Sequence, residues 1–251
     1  MQLHQPLATA SARFGANRLS TSGVLHDRVA LVQRYSLFGD ISPNECAAIL
    51  AGAYERQFMR RQMLFMAGDP VRQTLLLTAG NVKITQAGQN GSEVILRLNG
   101  AGESVGAMGL CTRGEHSASA QALDSCNALV WDAAAFETLA DRYPILRRNM
   151  MRILEDRLQE MDTRFREIST EKVSARLSSE ILRLVNQIGK RSEGYVEISL
   201  SREQLAQLTG TTLFTVSRLL SRWELQGIVS ARREAVLIHS VEALVELSRQ
   251  E

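Results

Sequence analysis

Cysteine is scarce in this chain. Cys46, Cys111 and Cys126 are odd in number and far apart. They form no disulfide framework and match no metal spacing, and an iron–sulfur cluster needs four thiolates. Histidine is limited to His4, His26, His116 and His239. Only His116 falls in the glycine-punctuated middle of the chain, so a cupin-type metal site, which clusters histidines with a carboxylate, cannot be built there. No run of 18 apolar residues occurs, which leaves no membrane span. The N-terminus lacks an apolar core segment and does not read as a secretory signal. With so few cysteines, the expected location is the cytoplasm. There is no GxxxxGK[ST] phosphate loop and no Ser/His/Asp or Cys/His set at suggestive spacing. An enzyme is therefore the weaker class.

Nor is there an excess of charge. The chain has 29 basic and 27 acidic residues, for a net charge of +2. From Glu171 to the end the count is 11 basic against 10 acidic. Any case for nucleic acid must rest on where individual arginines sit. Among the basic residues only Lys83, Lys172 and Lys190 are lysine. Arginine suits bidentate phosphate and guanine contacts, and a composition bias explains the same preference.

What is present divides the 251 residues into segments. Residues 1–22 are polar, rich in small residues and Arg-containing, and read as a flexible arm. Arg28 to Tyr35 and Pro43 to Ala53 carry short helical patterns. From Tyr54 to Trp131, short apolar runs recur about every ten residues between glycines at 68, 80, 88, 91, 100, 102, 106 and 109. That texture predicts an antiparallel β-roll or jelly roll, with a sensor domain over residues 23–140. Pro144 then opens a long helix, within a dimerisation segment over residues 141–170. Met151, Leu154, Leu158, Met161, Phe165 and Ile168 follow at spacings of three and four, a heptad seam that predicts a dimerisation helix. Ser169 or Thr170 is expected to start the next helix, with Val173, Leu177, Ile181, Leu184 and Ile188 as its apolar stripe and Gly189 as its stop. No Pro/Gly linker separates the two, which suggests a helical hinge near residues 168–172.

The most informative segment is SREQLAQLTGTTLFTVSRLLSRW, residues 201–223. Ser201 and Gln204 can form a capping box. Thr209-Gly210-Thr211 break the helix as a glycine turn does. Thr212 is a candidate N-cap for a second helix whose Val216, Leu219, Leu220 and Trp223 face a core. Its other face presents Phe214, Ser217, Arg218 and Ser221, free to touch bases and phosphates. Tyr195 to Leu200 reads as a strand before the pair. Gly227 ends the second helix. IVSA, a basic turn at Arg232-Arg233-Glu234, and AVLIH then read as a β-hairpin. Strand, helix, turn, helix and hairpin make a winged helix-turn-helix over residues 171–251, and the whole chain is α+β. Arg202, Thr211, Thr212, Phe214, Ser217, Arg218, Arg222 and Arg232 are the candidate DNA contacts.

This segment resembles the DNA-binding domain of the Crp/Fnr family of bacterial transcription regulators, most closely over TVSRLLSRWELQGIV, and the likeness extends over roughly residues 30–245. It implies a cyclic-nucleotide-binding-like β-roll, a homodimer, a near-palindromic site in double-stranded DNA and contact with RNA polymerase. Commoner members place a glutamate that accepts from cytosine where Phe214 stands, and an arginine for guanine at Arg218. Ser217 matches the oxygen-regulator branch. Phe214 departs from the pattern and can instead touch a thymine methyl, so the half-site should differ there.

The resemblance also places an effector pocket at Gly102, Glu103, Gly106, Ala107, Met108, Arg113, His116, Ser117, Met161 and Asp162. In that register Ala107 stands where members that bind cyclic AMP have a glutamate for the ribose. His116-Ser117 replaces their Arg-Ser phosphate pair, unless a slip of three residues gives Arg113 that role. His116 lacks the guanidinium fork, and Asp162 would repel a phosphate. The expected effector is therefore not cyclic AMP bound in the usual way. The amides of Ser104 to Met108 could cradle an anion such as 2-oxoglutarate. Remaining alternatives are another cyclic nucleotide, haem (His26 the best of a weak set), control through Cys111 oxidation, or no ligand at all. The tight N-terminal cysteine group that carries the iron–sulfur cluster in some members is missing. A regulatory subunit acting only through protein contacts is a further class, against which the winged helix-turn-helix argues.

Overall fold

The computed structural model describes residues 17–18, 22–89, 91–106 and 114–249. Most of the expected arm lies outside these, as do Ala107, Met108, Cys111 and Arg113. A short strand β1 (Asn17–Arg18), helix α1 (Ser22–Val32), a 3-10 turn (Ser36–Phe38) and helix α2 (Pro43–Leu50) come first. α2 begins where it does because Ser42 accepts from the Glu45 amide while Glu45 accepts from the Ser42 amide, with Pro43 in the first turn.

The β-roll follows: β2 (Tyr54–Phe58), β3 (Met63–Phe65), β4 (Gln73–Ala79), β5 (Val82–Ala87), β6 (Glu93–Asn99), β7 (Ser104–Val105), β8 (Ser119–Ala122) and β9 (Cys126–Asp132). They form two sheets, ordered β1-β2-β9-β4-β7 and β3-β8-β5-β6. β9 shows why two cores form. Ala128 and Val130 point between the sheets with Phe58, Leu77, Val82 and Ile84. Leu129 and Trp131 alternate to the opposite face, where α1, α2 and the following helices cover them. The Trp131 indole donates to the Ile49 carbonyl at 2.9 Å, so even its polar atom is satisfied.

Helix α3 (Ala133–Arg142), for which the sequence showed no distinct pattern, leads into α4 (Pro144–Thr170). At 27 residues α4 is about 40 Å long. Helix α5 (Val173–Gln187) starts later than expected. Ser169 and Thr170 do not cap it. Their hydroxyls bond back to the Phe165 and Arg166 carbonyls, which keeps them in the last turn of α4. The break falls at Glu171, whose backbone is extended (φ −104°, ψ 148°).

The C-terminal part contains β10 (Lys190–Ser192), β11 (Tyr195–Ile198), α6 (Arg202–Thr209), α7 (Leu213–Leu225), β12 (Val229–Ala231), β13 (Val236–Ile238) and α8 (Val241–Ser248). Its sheet runs β10-β11-β13-β12. The expected winged helix-turn-helix is thus extended by one strand and a terminal helix. Its core gathers Leu177, Ile181, Leu184, Leu205, Leu220 and Trp223, and also Ile95 and Leu98 from β6 of the β-roll. Among the described residues no helix is long and apolar enough to cross a membrane.

Trp131 is fully buried and hydrogen-bonded between sheet and helices. Trp131→Ala should lower unfolding free energy by about 3–5 kcal/mol, read from the urea midpoint at unchanged slope.

Candidate nucleic-acid interface and sensor region

The helix pair is built by local caps. Ser201 accepts from the Gln204 amide at 3.2 Å, and Gln204 accepts from the Ser201 amide at 2.9 Å. Gly210 closes α6 in the left-handed region (φ 61°), where a side chain would be strained. Thr212 then starts α7 by accepting from the Thr215 amide at 3.2 Å. Val216, Leu219, Leu220 and Trp223 are buried. Phe214 is 85% exposed, Ser217 is half-buried, and Arg218, Ser221 and Arg222 are exposed. One helix face thus carries an aromatic ring, two hydroxyls and two guanidinium groups.

The hairpin of β12 and β13 is closed by the Arg232 amide donating to Ala235 at 2.8 Å, with Arg232 and Arg233 exposed at the tip. Glu234 beside them pairs with Arg60 at 2.7 Å and Arg61 at 3.1 Å on the turn between β2 and β3. The Arg60 hydrogen bond and charge hold its carboxyl below the usual range. Arg202, at the start of α6, is half-buried. It lines a cleft of about 660 Å³ with Arg60, Arg61, Lys83 and Glu93, and its Nε is buried without a hydrogen-bond partner. Thr211 and Leu213 line a hollow with Gly91–Val94 of the β5–β6 hairpin.

The residues expected around an effector take other roles. Gly102 (φ 90°) lies against the Tyr35 ring. Glu103 accepts from the Gly100 amide at 2.6 Å. Burial pushes its carboxyl up, while the Gly100 bond and Arg157 pull it back. Arg157 donates to the Ser104 carbonyl at 2.6 Å. Arg97 beside it is pushed down to about 10, first by burial and then by Arg157. At Gly106 a Cβ would stand 3.0 Å from the Phe65 ring and 3.1 Å from His116. His116 is 7% exposed and stacks on Phe65 at 3.6 Å and 8°. Burial lowers its pKa, against Asp69. Besides packing on Phe65, it lines a hollow of about 400 Å³ with Asp69, Arg72 and Gln73. Ser117 is exposed, as are Met161 and Asp162 on α4. Ala107, Met108 and Arg113 lie outside the described residues.

Among the described residues no group of three or more His, Cys, Asp or Glu could hold a metal ion. His26 is exposed on α1, and His239 shares a 2.8 Å hydrogen bond with Ser230. Burial pushes the Cys46 and Cys126 thiols up to about 11, so neither is a ready thiolate.

On α4, Met151, Leu158, Met161, Phe165 and Ile168 are all more than half exposed. Leu154 departs from the expected seam and packs partly against the helices under the β-roll. On the other side of α4 lies a network that the sequence did not reveal. Arg183 binds both Glu167 oxygens, at 2.7 and 2.8 Å, and Glu180 at 2.7 Å. Arg164 binds Glu180 at 3.1 Å and donates to the Leu96 carbonyl at 3.0 Å. Gln187 donates to the Leu98 carbonyl at 3.0 Å. These residues mark no motif. Apart from Glu180 and Arg183, three positions apart on α5, the partners lie 16 to 89 positions from one another, beyond any local pattern.

Two families match the chain: one described as "Cyclic nucleotide-binding domain" over residues 55–143, and one described as "Crp-like helix-turn-helix domain" over residues 175–247. The cyclic AMP receptor protein of Thermus thermophilus is 29% identical over 213 residues, 84% of this chain and 96% of that one. The CRP-like cAMP-activated global transcriptional regulator of Mycobacterium tuberculosis is 25% identical over 222 residues, 87% of this chain and 99% of the relative. Among solved structures, the c-di-GMP responsive global regulator CLP of Xanthomonas campestris superposes with a TM-score of 0.70 at 20% identity, covering 79% of this chain and all of that one.

The His116 packing has a pH signature. Its folded pKa lies below the ordinary 6.5, so the unfolded chain takes up a proton first as pH falls. Its contribution is whole above pH 6.5 and declines below it, down through the folded pKa. The urea midpoint of the native protein should fall between pH 7 and pH 5 more steeply than that of His116→Asn.

Proposed function

Because the chain belongs to the Crp/Fnr family of bacterial transcription regulators, we propose that it acts in the cytoplasm as a homodimer. Two copies of α7 would read a near-palindromic site in double-stranded DNA. As a regulator of this family the chain is not an enzyme. The observation that carries the reading is the divided surface of α7. One face is buried in its domain, and the other offers Phe214, Ser217, Arg218, Ser221 and Arg222 to solvent. A recognition helix needs that arrangement to enter a major groove. Arg218 suits the O6 and N7 acceptors of guanine. Thr211, Thr212, Arg222 and Arg232 would set register on the phosphates without choosing bases. Arg202 would join them from the cleft it lines.

The exposed stripe Met151, Leu158, Met161, Phe165 and Ile168 supports a dimer across α4. A face of that size and character is costly to leave in water, and a second copy covers it symmetrically. Two recognition helices would then lie about one DNA turn apart. The resemblance adds RNA polymerase as a partner. For the β-roll we propose an effector other than cyclic AMP held in the usual way, or none. His116 is stacked against Phe65 and Glu103 is committed to the Gly100 turn. Those local engagements support that reading.

Selection of bound sites from random duplex DNA tests the reading. A near-palindrome should be enriched. Arg218→Ala should weaken binding to it by about 1–3 kcal/mol per contact, roughly fivefold to 150-fold for each, with non-specific affinity little changed. Phe165→Asp should give a monomer by sedimentation and lose the full site. A pool with no enriched sequence would overturn the assignment.

A further inference from the structure

We propose that Phe214 reads the C5-methyl group of a thymine, making one position of each half-site dependent on that methyl. This rests on the reading of α7 as the recognition helix. Phe214 is the second residue of α7, in the turn that enters a major groove. It is 85% exposed, so its ring is not part of the chain's own core. The neighbouring hydroxyls are engaged locally. Thr212 caps the helix, and its Oγ1 lies 3.0 Å from that of Thr215. Leu213 is turned toward the β5–β6 hairpin and lines the hollow with Gly91–Val94. Phe214 is therefore the forward side chain of the first turn.

A phenyl ring has no donor or acceptor. It cannot read the hydrogen-bond pattern of a base edge, and facing a cytosine amino group or a purine N7 it would strip water from a polar atom and give nothing back. The apolar group that the four standard bases present in the major groove is the thymine methyl. The methyl should also lie close to the base read by Arg218. Four residues of helix rise about 6 Å, within about two base-pair steps of 3.4 Å each. Half-sites should therefore show a thymine within two positions of the guanine.

The test replaces each thymine of the selected duplex by deoxyuridine in turn, which removes one methyl and leaves every hydrogen-bonding group unchanged. With the full-length protein, one position per half-site should lose about fourfold in affinity, the equivalent of ~0.8 kcal/mol for one buried carbon at 1.36 kcal/mol per tenfold. Substituting both halves should cost about fifteenfold. Phe214→Ala should weaken binding to the thymine duplex and no longer distinguish uracil at that position, while Leu213→Ala keeps the distinction. Phe214→Glu should move the selected base toward cytosine, whose amino group a carboxylate accepts. Because the ring is exposed, circular dichroism and the urea midpoint of these Phe214 variants should match the parent. Specific binding with uracil tolerated at every position would overturn the inference and leave the reading of α7 intact. So would a uracil penalty that persists in Phe214→Ala. If Phe214→Ala leaves DNA affinity unchanged, the ring belongs to a protein-facing surface instead. If no sequence is enriched at all, the reading of α7 falls and this inference falls with it.

Discussion

Strand β6 ends its sheet, and the carbonyls of an edge strand need partners or water. The Leu96 carbonyl accepts from Arg164 of α4, and the Leu98 carbonyl from Gln187 of α5. Ile95 and Leu98 of the same strand are buried in the core of the C-terminal domain. One strand is therefore shared between the β-roll and the DNA-binding half, by hydrogen bonds at its edge and by apolar packing. The rest of the arrangement follows from that attachment.

Arg164 extends it through Glu180 to Arg183 and Glu167. Glu167 and Glu180 are buried carboxylates, and such charges are tolerated only when paired. The chain of pairs spans the break at Glu171 and holds α4 and α5 at one angle. At the other end of β6, the turn from Gly100 to Ser104 is tied to α4 by Arg157. A contiguous set of polar contacts thus runs from the expected effector side of the β-roll to the first helix of the DNA-binding domain. Such a path is a physical route for coupling; a demonstrated second state is what would make it a switch.

The same docking explains what is covered and what is open on the helix pair. The first turn of α6 faces the β-roll, which places Arg202 in a cleft, and Arg60 and Arg61 hold the wing through Glu234. The outer face of α7 is left in solvent. In the β-roll, by contrast, the described residues around His116 pack on one another beside a hollow of about 400 Å³. Phe65, His116 and Gly106 pack closely, and glycine suits that position because its φ of 84° strains any side chain and a Cβ would press on both rings.

Much of this chain was legible in its residues because the information is local. The caps at Ser201 and Thr212, the left-handed Gly210, the stripe Val216, Leu219, Leu220 and Trp223, and the glycine-separated strands all depend on spacings of a few residues. Those spacings determined the β-roll, the long helix and the winged helix-turn-helix, and marked Phe214 and Arg218 as outward. The start of α5 is not legible in the sequence because Ser169 and Thr170 can either cap a new helix or bond back into an old one, and local spacing does not rank the two. Tertiary structure alone decided that Arg202 lines a cleft with Arg60 and Arg61, that Leu154 leaves the exposed seam, that His116 stacks on Phe65, and that Glu234 meets Arg60 some 174 positions away. Each depends on which surfaces meet when the two halves dock. That is a matter of shape and charge across the whole chain, and no local period records it.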